Sequence, residues 1–422
     1  MNIEKIRDDF PVLKRRIDGK QIIYFDNACS SLKPTKVIDA MNYYYENLNA
    51  CGGFRSGHDL SKETDEICEK SRNDVKKFIN AKTEKEIIWT RNTTEAINLV
   101  SNSLNFKPYQ NVICTTLDHH SSLLPFYMLY NKKIIKNLKL IKIEKDGYFD
   151  INKFSEFMDK STKIVSLNLA SNVTGTLSPA KEICKIAHDN GTLVLADGAQ
   201  FIPHYKIDVQ DIDVDFLVFS IHKICGPSGM GVLYGKYHLL EELNPFIVGG
   251  GTIRDVKYNN GKISPVFLPP PKKFEAGIQN YAGIIGSGAA LEYVQKIGIK
   301  NIENYERKLI VYLLKLFSEL DGVELIGSNN PVLRGSLFSF ILENRNVSPK
   351  DVADFMNTGP EKFKIMIRAG AHCTNPFHHQ IGVSPLEGYG SVRASLYFYN
   401  TLEEIEIFIN HLKKFLSIIN KK

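Results

Sequence analysis

From about residue 86 onward, short runs of apolar and β-branched residues alternate with longer stretches whose apolar positions recur at helical spacing. The runs are EIIWT (86–90), NVICTT (111–116), KIVSLNL (163–169), TLVLA (192–196), DFLVFS (215–220) and GVLYG (231–235). Helical patterns follow the first three, through EAINLVSNSL, SSLLPFYMLY and AKEICKIAHDN. This alternation predicts a mostly parallel sheet covered by helices on both faces. The stretch from Gly249 to Pro271, with its GGGT and PPP, reads as a long irregular loop. Beyond it, GIIGSGAALEYVQKIG (283–298) and NIENYERKLIVYLLKLFSEL (301–320) are helical and lead into a second unit. There the predicted strands are GSLFSFIL (335–342), KIMIRA (364–369) and SVRASL (391–396), with helices near 349–356 and 402–417. The chain is therefore read as α/β, with a large domain over 22–290 and a smaller α+β domain built from 1–21 and 291–422.

A length of 422 residues suits that division, because single hydrophobic cores stop growing well below it. No apolar run is long enough to span a bilayer, and the opening MNIEKIRDDF is too charged for a secretory signal, so a cytoplasmic protein without membrane contact is expected. Seven scattered cysteines without a CxxC pair argue against a disulfide framework or a zinc ribbon and fit a reducing compartment. The net charge of +6 has no long basic block behind it, so no nucleic-acid partner is expected.

In an open α/β sheet, ligands bind beyond the carboxyl ends of the strands. The segments found there are RNTTEA, LDHHS, ASNVTGT, DGAQ and IHKICGPSG, a set suited to one anionic, aromatic ligand. Asn92 and Glu95 resemble a capping box, which sets Thr93 and Thr94 in a first helical turn where free N–H groups favour a phosphate. Alone, that segment would be an ordinary capped helix. Ser220, His222 and Lys223 add a hydroxyl, an imidazole and an amine. Asp197 can pair with a protonated pyridine nitrogen, and Gln200 can hydrogen-bond the adjacent phenolic oxygen. His119 offers a flat ring for stacking, and Asn172 can donate to a carboxylate or to the same oxygen.

The strings SIHKICGPSGMGVLY, LADGAQ, RNTTEAINLV, LDHHSSLLPF, ASNVTGT, FEAG and RAGAHC together resemble the class V aminotransferase family, and within it the group II, Suf-type cysteine desulfurases. The likeness is collinear from FDNACSSLKP to VRASLYFYNT, nearly the whole chain. It implies a pyridoxal-phosphate enzyme of fold type I, acting as a homodimer. By the resemblance, Lys223 carries pyridoxal 5'-phosphate and moves the substrate Cα proton, Asp197 keeps the pyridine nitrogen protonated, Gln200 holds the phenolate and His119 stacks on the ring. Thr94, Ser220 and His222 take the phosphate. Arg393 forks onto the substrate carboxylate, assisted by Asn172. Cys373 is the implied nucleophile: its thiolate takes sulfur from L-cysteine, leaving a persulfide and releasing L-alanine, and the sulfur passes to an acceptor or scaffold protein, for iron-sulfur cluster assembly. Arg368 and His372 are the neighbours expected to stabilise that thiolate.

The sequence departs from the family pattern in three places. Ile278 stands where group II enzymes have a threonine that reaches the partner subunit's phosphate, Phe54 replaces a histidine before Arg55, and the segment from Phe377 to Gly390 is longer. Cysteines 68, 114, 184 and 225 read as packing residues. His372, Cys373, His378 and His379 lie close in sequence, but without recognised ligand spacing no metal is expected. Rival activities are a selenocysteine lyase, another class V lyase, or a non-catalytic partner-binding scaffold.

Overall fold

The computed structural model describes residues 1–53, 56–359, 362–383 and 390–419. Seven strands form the principal sheet: β1 (Ile87–Thr90), β2 (Asn111–Thr115), β3 (Asn137–Ile141), β4 (Thr162–Asn168), β5 (Leu193–Asp197), β6 (Phe216–Ser220) and β7 (Gly231–Gly235). Their order across the sheet is β1-β7-β6-β5-β4-β2-β3, and only β7 runs against the others. All the runs predicted as strands of this sheet are present. The sequence reading missed β3, whose residues are exposed or half-buried except for Ile141 and so lack the continuous apolar signal of the central strands.

Successive residues along a strand face opposite sides, and both sides are covered. Ile88, Val112, Ile164, Leu195 and Val218 pack against Ile97 and Val100 of helix Thr93–Ser103 and Phe126 of helix His120–Asn131. Trp89, Ile113, Val165, Val194 and Phe219 face a second core that includes Val75 and Ile79 of helix Asp59–Ile79 and Ile183 of helix Ala180–Asp189. Burying both faces leaves the polar strand ends as the natural place for chemistry.

An ion pair locks the edge of this sheet. Arg72 and Glu275, both almost fully buried, make a fork of 2.8 and 3.0 Å, and Glu275 also accepts from the Trp89 backbone at 2.9 Å. Glu275→Ala would leave the guanidinium buried without its counter-charge, with an expected cost of about 3 to 5 kcal/mol. A urea titration measures it; a loss below about 1 kcal/mol would be the behaviour of a solvated surface pair instead.

A second, four-stranded antiparallel sheet has the order Val323–Ile326, Leu337–Leu342, Ser391–Ser395, Arg368–Gly370. Helices Ile299–Ser318, Pro349–Thr358 and Leu402–Ile419 supply its core partners, including Leu313, Met356 and Phe408. The segment predicted as one strand, KIMIRA, is two. Phe363–Met366 pairs in parallel with Lys20–Tyr24, and Arg368–Gly370 pairs with Ser391–Ser395. The apolar run IMI (365–367) passes through the junction with no glycine, proline or other turn signal, so the sequence carries no sign that the chain changes sheets at Ile367.

The irregular loop expected between Gly249 and Pro271 is instead an exposed hairpin, Ile253–Asn259 with Lys262–Phe267. Its turn is Asn260-Gly261, with φ of +48° and +80°, the conformation that a two-residue hairpin turn requires. The NG signal was present, but the flanking GGGT and PPP masked it. No described helix is long and apolar enough to cross a membrane.

Candidate active site

A cavity of about 370 Å3 opens at the carboxyl ends of the parallel strands and is lined by all ten residues singled out from the sequence. Asp197 ends β5 and is buried, its Oδ2 accepting from Ser122 Oγ at 2.8 Å and its Oδ1 from Ala199 N at 3.0 Å. Beside it Asp118, fully buried, is pushed up to about 7 by burial, although Thr115 N and Asn168 Nδ2 both donate to it. The sequence reading passed over Asp118; its place directly before the two histidines in LDHHS was the only signal.

His119 forms one wall. Its Nδ1 accepts from Ser121 N at 3.1 Å, and burial, then the charge of Lys223, push it down to about 4. A neutral ring at physiological pH is suited to stacking rather than to proton transfer. Burial, Lys223 and Lys33 likewise hold His222 at about 4, so it offers a neutral N–H and no positive charge.

The anion end is the start of helix Thr93–Ser103. Asn92 caps it, accepting from Glu95 N at 2.9 Å, while Glu95 turns back to Arg91 N rather than to Asn92 as a capping box requires. Thr93 N donates to Ser220 Oγ at 2.9 Å, and Thr94 Oγ1 lies 2.7 Å from Ser121 Oγ. A Cβ on Gly231 would lie 2.6 Å from Asn92 Cα, so only glycine lets β7 pass this close to the helix start.

Lys223 projects from a 3₁₀ turn, Ile221–Lys223, directly after β6. Four donors clamp the carbonyl of His222 one residue earlier: Ser31 N at 3.1 Å, Ser31 Oγ and Lys33 Nζ at 3.0 Å, and Ser30 Oγ at 3.3 Å. Burial brings the Lys223 amine down to about 8, with Asp197 opposing and Arg393 adding to the shift. Raising the pH through about 8 therefore frees the nucleophilic amine. Covalent uptake of pyridoxal phosphate by the apoprotein is expected to be about fivefold faster at pH 8 than at pH 7 and level above about pH 9. Stopped-flow absorbance checks it; a rate still climbing tenfold per pH unit beyond about 9 would mean an unshifted lysine.

Arg393 is buried, with Nη1 donating to Asn172 O at 3.1 Å, Nη2 3.5 Å from Asp26 Oδ1, and Nε without a partner among the described residues. It pairs in register with Arg368 across the strands, and Asp26 offsets the repulsion by accepting from Arg368 at 2.8 to 3.2 Å. Asn172 spends its amide on the loop that carries the thiol, donating to His372 O at 2.7 Å. Gln200 Nε2 donates to Ala28 O at 2.8 Å, leaving its second N–H for a ligand.

Cys373 is exposed at the cavity rim, and His372 and Cys373 hold successive φ values of +50° and +58°. Non-glycine residues there cost about 1 to 2 kcal/mol each. The thiolate neighbours expected from the sequence are not available. His372 is held well below its ordinary range by burial, its ring engaged with Ser391 O at 3.1 Å, and Arg368 is committed to Asp26. RAGAHC conveys adjacency along the chain but not that the histidine turns inward. His378 is also buried between Thr374 O and Ser391 Oγ. Ile278 is 75% exposed; Phe54, Arg55 and residues 384–389 of the lengthened segment lie outside the described residues, while Asn375–Gln380 is a short helix.

The family model described as "Aminotransferase class-V" matches residues 23–408. The chain belongs to the class-V aminotransferase family. It is 41% identical over 412 residues to a probable cysteine desulfurase of Synechocystis sp., covering 97% of this chain and 94% of that one. A cysteine desulfurase of Synechococcus elongatus is 39% identical over 408 residues, 96% of this chain, which spans only 62% of that protein's length. Among solved structures, the apo cysteine desulfurase of Thermococcus onnurineus superposes with a TM-score of 0.88 at 35% identity, covering 98% of both chains. The fold is that of the fold type I pyridoxal-phosphate enzymes, and the cofactor of this class-V chain is pyridoxal 5'-phosphate. The cavity fits it by charge: a buried carboxylate faces one end, a helix start the other, and a neutral ring and a partly neutral lysine lie between.

Proposed function

We propose that this chain is a Suf-type L-cysteine desulfurase that forms a persulfide on Cys373, releases L-alanine and supplies sulfur for iron-sulfur cluster assembly. The observation that carries this reading is an exposed thiol at the rim of a cavity that also contains Lys223 and a buried guanidinium with a free N–H. Asp197, Gln200 and His119 would hold the pyridoxal ring, and Thr94, Ser220, His222 and the helix start its phosphate. Bound there, the cofactor supplies the electron sink that weakens the substrate's Cα–H and Cβ–S bonds. Arg393 orients the substrate through its carboxylate, using the Nε that has no partner among the described residues. Lys223, with an amine that titrates near neutrality, takes the proton at Cα and returns one when alanine forms. Cys373 Sγ attacks the substrate sulfur, and its exposure leaves the resulting persulfide open to an acceptor protein.

The test is to supply L-cysteine to the holoenzyme and measure alanine and protein-bound sulfane sulfur, which are expected in equal amounts before an acceptor is added. Alanine without bound sulfur would point to simple elimination. Arg393→Lys is expected to raise KM for cysteine by about 10- to 100-fold with the cofactor's absorbance unchanged, because an ammonium cannot fork onto a carboxylate. An unaltered KM would remove Arg393 from the substrate site. The reading includes a cytoplasmic homodimer. Tyr258, Ile263 and Ile278, each more than two-thirds exposed on the hairpin and the turn that follows, support a second copy covering that face.

A further inference from the structure

Cys373 is not the only thiol on the cavity. Cys29 lines it too, partly exposed, whereas cysteines 68, 114, 184 and 225 are buried in the packing. Cys29 sits in the tight turn of DNACSSLK, with its N–H donating to Asp26 O at 3.1 Å. The rest of the turn is bound on every side: Asp26 to Arg368, Asn27 to Ser395 O at 2.7 Å, Ala28 O to Gln200, and Ser31 to His222 O. Among the described residues the Cys29 thiol takes no part in these hydrogen bonds. It lies within electrostatic reach of Lys223, Arg368 and Arg393, and Cys373 within reach of the same Lys223. The cavity wall around the thiols carries a buried donor without a partner among the described residues, Arg393 Nε, able to hold a sulfur anion in passage. The two thiols differ in their mounting. Cys29 is fixed by the clamp on His222, while Cys373 rides on a loop whose backbone is strained at two successive residues.

We propose that Cys29 is a second sulfur-accepting residue, which takes the outer sulfur of the Cys373 persulfide and returns Cys373 to its free form for another turnover. This rests on the desulfurase reading above. In the transfer, the Cys29 thiolate attacks the outer sulfur of Cys373–S–SH. The bond from Cys373 Sγ to that sulfur breaks, a bond from Cys29 Sγ forms, and Cys373 leaves as a thiolate that takes up the proton Cys29 gave up. One persulfide replaces another, so no oxidant or reductant is consumed. The sulfur is then stored inside the cavity rather than at its rim.

The test uses the holoenzyme with excess L-cysteine, without acceptor or reductant, and reads the alanine burst together with peptide masses after alkylation. Wild type is expected to release about twice the alanine of Cys29→Ser in the burst, with added sulfur on both the Cys29 and the Cys373 peptides. Cys373→Ser is expected to carry sulfur on neither. Cys29→Ala must match Cys29→Ser, and both must retain the visible cofactor band and the wild-type melting temperature. Equal bursts from wild type and the Cys29 variants, with sulfur only on Cys373, would overturn the relay while leaving the desulfurase reading intact. No alanine from the wild type would defeat both.

Discussion

Cys373→Ser is expected to lower alanine production from L-cysteine by about a thousandfold or more while leaving the cofactor's absorbance and the melting temperature as they are. A hydroxyl has neither the acidity nor the affinity for sulfur to replace the thiol as nucleophile. The side chain is exposed and packs against nothing that its loss would open, so the fold should not register the change. The strained φ values at His372 and Cys373 belong to the backbone and persist in the serine variant. Steady-state alanine release, with persulfide measured by mass, checks the outcome. A variant within tenfold of wild type would move the nucleophile elsewhere, and Cys29 would be the first residue to examine.

Lys223→Ala is expected to reduce activity by more than about ten-thousandfold, since on the proposed reading one amine both tethers the cofactor and moves the substrate proton. Stability should respond in the opposite sense. A buried amine brought down to about 8 is costly to bury charged, so removing it should leave the melting temperature unchanged or slightly raised. Asp197, Ser220 and the helix start remain to hold the cofactor without a covalent bond. Calorimetry together with turnover measures both halves, and a collapse of the fold would contradict the account of Lys223 as a functional rather than a structural residue.

The sequence was most informative where a signal is local and continuous. Buried parallel strands announce themselves as unbroken apolar runs, and the polar segments behind them hold seven of the ten candidate site residues; Ser220 ends a strand, and Cys373 and Arg393 come from the second sheet's region. It was least informative where a residue acts through distant partners. Nothing in DNACSSLK shows that Asp26 bridges two arginines more than 340 positions away, that Ser31 and Lys33 clamp the turn before Lys223, or that Cys29 reaches the cavity. Likewise, His372 looks like an activating neighbour of Cys373 on paper. Only the direction of its side chain, inward to Ser391, reveals that burial keeps it neutral.

The central claim is that the amine of Lys223 bears the cofactor. Reducing the holoenzyme with borohydride and digesting it should bleach the visible band and leave the mass of one reduced pyridoxyl phosphate on the peptide containing Lys223. A band that survives reduction, or a label found on Lys33 or any other lysine instead, would contradict the account.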